Sequence, residues 1–306
     1  MKRNAIIRII LFSITIVVLL AILVVGIFGG RIRRFFRPST EISSLPLAID
    51  GNQTTGAVSA KDIHEIEIEW LSGTIIIQPD ENINDIRFSE NTVSDAEYQM
   101  FYKTSGSKLT IQFSENGNWD SAFGISINST VKKDLVIYVP VDWTCASLEI
   151  DAASATLQVN DLTIKEVEVD TASGTCGFEN CNVGTLDIDT ASGDVVFTGT
   201  LDVLECDSAS AAITANLTNI PTRIEVDTMS GDLDITLPEN AGFIASIDAM
   251  SSDFTSDFAT TKSNGAYVCG DGACRINVSA MSGDVAIRRN PNLTSAAVTT
   301  PEEIQP

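Results

Sequence analysis

Apolar and polar residues alternate along most of the chain after residue 60, as in Leu148-Glu-Ile150 and Leu186-Asp-Ile188. An alternation with a period of two places one row of side chains on each face of a β-strand. No segment after residue 30 keeps the period of an amphipathic helix over several turns. The pattern therefore predicts an all-β domain whose strands each have one buried and one solvated face.

The N-terminal part of the chain has a different pattern. Residues 9–30 contain no charge and consist mainly of Ile, Leu, Val and Phe. A helix of this length spans the ~30 Å hydrocarbon core of a bilayer, and the run ends in Gly-Gly-Arg-Ile-Arg-Arg instead of a signal-peptidase site. We predict a short basic segment at 1–8, an uncleaved transmembrane helix at 9–30, and a basic collar and linker at 31–62.

A short repeat fills much of the remaining sequence. Its unit is Asp, two residues, Ser and usually Gly, flanked on both sides by alternating apolar residues. Successive Ser residues are 19, 19, 18, 20, 21 and 31 positions apart, so the last step contains an insertion. The Ser residues, which we predict to form structural turns, are Ser154, Ser173, Ser192, Ser210, Ser230, Ser251 and Ser282.

A unit of this size cannot bury its own apolar row, but stacked units would share a continuous core. We therefore predict a β-solenoid over 63–289, with a first coil and larger cap layer at 63–143, repeats of roughly 19–20 residues at 144–289, and a disordered tail at 290–306. A β-sandwich of short strands is the rival fold. The recurrence of one turn at one register favours stacking.

The Ser-Gly units, the strand Asp134-Leu-Val-Ile-Tyr-Val-Pro140 that precedes them and the apolar anchor resemble the DUF4097 group of bacterial proteins, often named "putative adhesin". The resemblance covers roughly residues 63–289. It implies a β-solenoid domain of the cell envelope, in a family with some members tied to envelope stress responses. It brings no catalytic residues.

The net charge of -22 is unevenly distributed. The first 40 residues hold seven Lys or Arg and no acid, so the remainder, with 12 basic and 41 acidic residues, carries -29. Such a body repels polyanions and disfavours nucleic acid as a partner. The basic residues flanking the anchor fit a lipid bilayer. The positive-inside count nearly balances, and the Ser/Thr-rich acidic composition and six Cys favour an extracytoplasmic domain.

Stacking in register would align one acid of each repeat into a column. Carboxylates at the ~4.8 Å strand spacing repel one another. One compensation is hydrogen bonding from the amides of each turn, which favours the ionised form. The weaker alternative is a row of Ca²⁺ sites. The column consists of Asp151, Asp170, Asp189, Asp207, Asp227 and Asp248, with Ser279 in the last repeat.

The residues around each Ser give further expectations. The Gly that usually follows predicts a corner with positive φ, although Ala155, Ala211 and Ser252 occupy this position in three repeats. The preceding residue is Ala in four repeats and Met in the last three, and we expect these Met to fill the core. They are Met229, Met250 and Met281.

Cysteine spacing suggests two bridges, Cys269 with Cys274 across Gly-Asp-Gly-Ala, and Cys176 with Cys181. Zinc fits poorly because no C-x2-C pair is present. Cys206 stands at an inward strand position and is expected to be a buried thiol.

No catalytic residues and no cofactor are predicted. His64 is the only His and lies far in sequence from every Cys, and repeated carboxylates lack the contrasting environments of a catalytic pair. Trp119, Phe123 and Trp143 are either ligand-facing aromatics or plugs of the solenoid end.

We expect a non-enzymatic, adhesin-like module of the bacterial envelope that contacts a cell-wall polymer, a host surface or another envelope protein. An envelope-stress sensor or regulator is the first alternative. A polysaccharide-active β-helix enzyme is the second and less favoured one.

Overall fold

A computed structural model describes residues 48–50, 53–91, 99–114 and 132–293. These residues belong to one compact unit that begins at Ser44, and they form strands and no helix. Among them, no helix has the length and apolarity needed to cross a bilayer. The predicted transmembrane helix at 9–30, most of the collar and linker, Trp119, Phe123 and most of the predicted tail lie outside the described residues.

The described chain contains twenty strands. The first ten are β1 (Ala48–Asp50), β2 (Gln53–Ser59), β3 (Glu65–Asp80), β4 (Asp85–Asn91), β5 (Phe101–Ser105), β6 (Lys108–Gln112), β7 (Leu135–Pro140), β8 (Thr144–Asn160), β9 (Thr163–Ser173) and β10 (Cys176–Ser192). The others are β11 (Val195–Ser210), β12 (Ile213–Leu217), β13 (Arg223–Ser230), β14 (Leu233–Pro238), β15 (Phe243–Ser251), β16 (Phe254–Ser256), β17 (Thr261–Ser263), β18 (Ala266–Cys269), β19 (Cys274–Ser282) and β20 (Val285–Asn290).

Parallel strands stack into a solenoid with two main layers. In the front layer the order is β6, β3, β8, β9, β10, β11, β13, β19, β15. In the back layer it is β7, β3, β8, β10, β11, β12, β14, β20, β16. The long strands contribute to both layers. β3 and β8 pass through the Ser-Gly corner, whereas β10 and β11 run from the back layer into the front layer and end at the corner Ser. The all-β solenoid predicted from the repeat is confirmed.

The core lies between the two layers. Alternate residues of each strand point inward, so that Leu148 and Ile150 of the front layer face Leu157 and Val159 of the back layer, all at most 2% exposed. Each coil repeats this arrangement one strand spacing further along the stack. The alternation in the sequence therefore decides which face of every strand is buried.

The stacking order departs from the sequence order at one end. β19 lies between β13 and β15, and β20 lies between β14 and β16. The insertion expected from the 31-residue step contains the hairpin β17–β18, which pairs antiparallel with β15 and returns the chain to the open edge of β13. The coil that is last in sequence is thus the penultimate coil in space, which simple sequential stacking did not predict.

The other end carries a larger cap, as predicted. The hairpin β5–β6 extends the front layer beyond β3 with a turn at Gly106, and β4, β2 and β1 extend the back layer beyond β7. Between them Lys133 and Glu90 form a fully buried ion pair. The Lys133 ammonium also donates to the Phe113 carbonyl and lies 4.7 Å from the Trp70 ring centroid.

The Ser-Gly corner has two backbone forms. Gly174 and Gly193 have φ of 130° and 141°, as expected, whereas Ala155 and Ala211 keep an ordinary φ at the equivalent positions. A Cβ on Gly193 would stand 2.0 Å from the Gly174 carbonyl oxygen of the neighbouring coil. The Gly residues are therefore needed for close approach between coils as well as for φ, and the Ala coils use a different conformation.

Candidate functional site: the acidic front face

The outward side of the front layer carries two columns of carboxylates. The first column is the one expected from the repeat, and the structure extends it to Glu69: Glu69, Asp151, Asp170, Asp189, Asp207 and Asp227 are aligned on consecutive strands. The second column lies two residues earlier on the same strands, at Glu67, Glu149, Glu168, Asp187, Glu205 and Glu225. We call this array the acidic front face.

Sequence reasoning missed the second column. Five of its six members are Glu and the sixth is Asp187, and all lie outside the Asp-x-x-Ser unit that marks the repeat, although each stands two positions before an acid of the first column. Residues two apart on a strand point to the same face. The signal was therefore present as an acid-apolar-acid pattern, as in Glu168-Val-Asp170.

Strand geometry sets the spacing of the charges. Neighbours within a column are separated by about 4.8 Å, and the two columns by about 6.6 Å along each strand. Asp248, the last predicted member, is set apart from Asp227 because Ser279 of the inserted β19 lies between them. The substitution by Ser thus interrupts the column one strand before its end.

Two basic residues bridge the second column near its ends. Lys108 of β6 lies 3.0 Å from Glu67 and 3.1 Å from Glu149. Arg223 of β13 pairs with Glu205 and, at 2.8 Å, with Glu225. Such exposed or half-exposed pairs each contribute about 1 kcal/mol or less, so they reduce the repulsion along the column without cancelling it.

Burial and repulsion shift the acid equilibria near the capped end. The pKa of Asp151 is raised to about 8, first by desolvation and then by the carboxylates of Asp170, Glu149, Glu69 and Glu67. Burial also raises the pKa of Glu69, against a 2.8 Å hydrogen bond that the Gln112 amide donates to it. This part of the acidic front face therefore retains a proton at neutral pH.

The pKa of Asp151 is raised, whereas hydrogen bonds from turn amides that favour the ionised form would lower it. Carboxylate to amide hydrogen bonds occur in another column, just after the Ser-Gly corner. There Asp232 accepts from the Asp284 amide at 2.9 Å, and Asp284 accepts from the Asp253 amide at 3.0 Å. Each bond joins two neighbouring coils.

The predicted Ser turns are held from inside the corner. The hydroxyl two residues before the Ser donates to the Ser backbone carbonyl, as from Thr171 to Ser173 at 3.1 Å and from Thr190 to Ser192 at 3.2 Å. This is a structural role, since Thr171 and Thr190 are both buried.

The carboxylates do not converge on a cage. No group of three or more His, Cys, Asp or Glu side chains in the described part of the chain is placed to hold one metal ion. An array on a flat sheet instead presents charge over a wide area, which suits an extended cationic partner better than a single coordinated ion.

The two predicted disulfides are wrong, since all six thiols are free and buried. Cys269 and Cys274 stand on opposite sides of Phe243, because β15 runs between β18 and β19. Two strand spacings of ~4.8 Å exceed the Cα separation that a disulfide can span. Cys176 and Cys181 lie on one strand, separated by Gly177, the buried Phe178, Glu179 and the left-handed Asn180.

The remaining candidates for chemistry fall elsewhere. A groove of about 430 Å³ at the start of the front-layer segments of β8, β9 and β10 is lined by His64, Cys145, Lys165 and Asn182 among others. Cys145 contacts the backbone carbonyl of His64 rather than its imidazole, and burial raises its pKa to about 12. The pair therefore does not form an activated nucleophile.

Trp143 lies in the core. Its side chain is 9% exposed and its indole donates to the Ile63 carbonyl at 2.9 Å. This favours the second of the two roles considered for it, that of a plug at the solenoid end. The predicted core role is wrong for Met250 and Met281, which are 84% and 53% exposed, whereas Met229 is half-buried.

A family model matches the chain over two overlapping stretches, residues 63–202 and 149–288, under the description Toastrack DUF4097. The chain belongs to the Toastrack DUF4097 family. The overlap of the two matches reflects the repeat, because coils at one register satisfy the same sequence model twice.

Three solved bacterial structures are among those that a structural comparison matches to this chain. A "putative adhesin" from Bacteroides fragilis is 12% identical with a TM-score of 0.45, covering 79% of this chain and 98% of that one. A "putative cell adhesion protein" from Clostridium sporogenes is 14% identical, with a TM-score of 0.31 and coverage of 78% and 99%. A "putative lipid binding protein" from Parabacteroides distasonis is 13% identical, with a TM-score of 0.36 and coverage of 79% and 98%. No curated protein is detectably similar.

Proposed function

We propose that this Toastrack protein is a membrane-anchored, extracytoplasmic and non-enzymatic binding module of the bacterial envelope. Its contact surface is the acidic front face, and its partner is a positively charged polymer or protein surface in the cell wall, on a host or on another envelope protein. The apolar segment at 9–30 anchors the domain to the bilayer.

One observation carries the proposal. Twelve carboxylates stand on six consecutive strands in two columns, on the outward side of a parallel layer, and all but Asp189 are at least partly exposed. Clustered like charge costs stability through repulsion, so its retention over six coils is better explained by use than by folding. A cationic partner would relieve the repulsion and would bind over many weak contacts.

A binding measurement on the full chain in detergent micelles tests the contact surface. We expect the protein to bind polylysine and not dextran sulfate, with an affinity that falls as salt rises. Charge reversal at Glu168 and Asp187, in the middle of the second column, should weaken binding about tenfold or more.

The matched control reverses two exposed acids away from this surface, Glu179 and Asp202, which changes the net charge equally. Equal weakening in both variants would show that net charge rather than the acidic front face binds the partner. Thermal melting of both variants confirms that the fold is retained.

Membrane orientation is tested by labelling. The six native Cys are buried, so an impermeant thiol reagent needs an engineered target, for which the exposed Ser210→Cys is suitable. Labelling of whole cells without permeabilisation is expected, and labelling only after lysis would contradict an extracytoplasmic domain.

A sensor of envelope conditions is the second candidate. The arrangement that favours it is the position of Asp151 between Glu69 and Asp170 on neighbouring strands, where burial and the surrounding carboxylates raise its pKa to about 8. A surface that gains charge as the pH rises through this value would bind a cationic partner more tightly in alkaline conditions. Binding of polylysine that does not change between pH 7 and pH 9 would exclude this mode of sensing.

A further inference from the structure

Three Met residues occupy one position on three neighbouring strands. The register aligns Thr228, Ala280 and Ala249 across β13, β19 and β15, and it aligns the corner Ser residues in the same way. The residues between these pairs are Met229, Met281 and Met250. Because β19 is inserted, Met281 stands between the other two although it comes last in the sequence.

These side chains are accessible and are not needed by the fold. Met250 is 84% and Met281 53% exposed, and Met229 is half-buried. The same corner position in the four preceding repeats is occupied by Ala: Ala153, Ala172, Ala191 and Ala209. A large side chain is therefore not required there, and its appearance on three adjacent strands calls for another explanation.

The thioethers are close enough to act together. Neighbouring strands bring successive Met backbones to about 4.8 Å, and the unbranched Met side chain has three rotatable bonds that let its sulfur reach toward a common point. Thioether sulfur is a soft ligand that selects Cu⁺ over hard cations, which prefer oxygen.

The surroundings favour a soft cation at this position. Asp227 and Asp248, both exposed, stand two residues before two of the Met and add negative potential. The Cys thiolates that would compete for a soft ion do not form here. Burial raises the pKa of Cys206 and Cys274 to about 12 and keeps both protonated.

We propose that Met229, Met281 and Met250 form a site for one soft monovalent ion, Cu⁺ or its analogue Ag⁺, at the corner of the last three coils. This site adjoins Asp227, at the last strand of the acidic front face, but the proposal does not depend on the contact proposed for that face.

Titration of the full chain with Ag⁺, followed by NMR of ¹³C-methyl-labelled Met, tests the proposal. The methyl signals of the three Met should shift together and saturate at one Ag⁺ per chain. The buried Met100 should not shift, and Ca²⁺ should leave all of them unchanged.

Three variants distinguish the site from other Ag⁺ binding. Replacing all three Met by Leu keeps the apolar volume and all six Cys, and it should abolish the one-equivalent event. Met281→Leu alone should weaken it by at least about tenfold, and by more than Met229→Leu, since Met281 neighbours both other thioethers. Independent shifts with separate midpoints, or Ag⁺ uptake unchanged in the triple variant, would overturn the proposal.

Discussion

The pKa of Asp151 depends on where this residue lies in the stack. It is half-buried, and the carboxylates of both columns surround it near the capped end of the acidic front face. Its position in a column was predictable from the repeat. The raised pKa was not, because it depends on Glu67 and Glu69, which are more than 80 positions away in sequence and reach Asp151 only through the pairing of β3 with β8.

The pKa of Asp151 predicts how stability changes with pH. The folded chain holds a proton that the unfolded chain loses near pH 3.8, so stability falls as the pH rises from there to about 8. Asp151→Asn should remove most of this decline and stabilise the protein above pH 8 by roughly 2–5 kcal/mol. Urea denaturation at pH 6 and pH 9 measures the effect.

The control for this prediction is Asp227→Asn, an exposed member of the same column, which should change stability by about 0.5 kcal/mol or less at either pH. A wild-type protein as stable at pH 9 as at pH 6 would show that Asp151 is not protonated in the folded state.

The buried pair of Lys133 and Glu90 predicts a strong asymmetry between single and double replacements. Lys133→Met leaves the Glu90 carboxylate buried without its cation, and should destabilise the cap by about 3–5 kcal/mol. Adding Glu90→Gln should restore much of that loss, because the Gln oxygen can still accept from the Met100 amide. A double-mutant cycle by urea denaturation measures the coupling, and additive losses would contradict it.

At the scale of the element, the sequence predicts the strands and their buried faces better than it predicts the conformation of the corners. Alternation assigned the buried side of β8 to β13 correctly, since each inward position is apolar or a small hydroxyl. The corner has no such period. The same sequence pattern admits the positive φ of Gly174 and the ordinary φ of Ala155, and it places Met250 in solvent although Met is a common core residue.

Corner geometry predicts that Gly193→Ala is more harmful than an ordinary loss of glycine. The new methyl group would meet the Gly174 carbonyl oxygen at 2.0 Å and would also require a left-handed φ. We expect a destabilisation of about 3 kcal/mol or more, measured by thermal melting.

Gly106→Ala separates the two causes, because Gly106 has φ of 61° with no atom within 4 Å of the added Cβ. This variant should lose only about 1–2 kcal/mol. Equal losses at Gly106 and Gly193 would mean that the backbone angle alone, rather than contact between coils, requires Gly in the corner.

At the scale of the whole molecule, the repeat count and the solenoid were predictable, but the order of the last coils was not. The repeats have similar sequences, so the alternation alone does not decide which two strands pair. The hairpin β17–β18 directs the chain back to the edge of β13, where β19 then pairs. The same insertion explains why Ser279 separates Asp227 from Asp248 and why three Met distant in sequence become neighbours.

Removing residues 274–306 should therefore damage the molecule locally and not uniformly. β13 and β14 would lose their outer partners, and β15 and β16 would lose the strands that hold them to the stack. Hydrogen exchange should show lost amide protection from β13 to β16 and retained protection in β8 to β10, as expected for a nearest-neighbour solenoid. Uniform loss of protection would indicate that the stack folds only as a whole.

The inserted coil would also fix the order in which strands pair if the domain is exported as proposed. If the domain crosses the membrane from its N-terminal side, β3 to β14 can stack as they emerge, but β15 and β16 arrive before the strands that must lie beneath them. Residues 243–256 then lack their parallel strand partners until residues 274–290 have crossed the membrane. The last two coils of the stack can therefore form only after β19 and β20 have emerged, because β15 and β16 join the stack through these two strands.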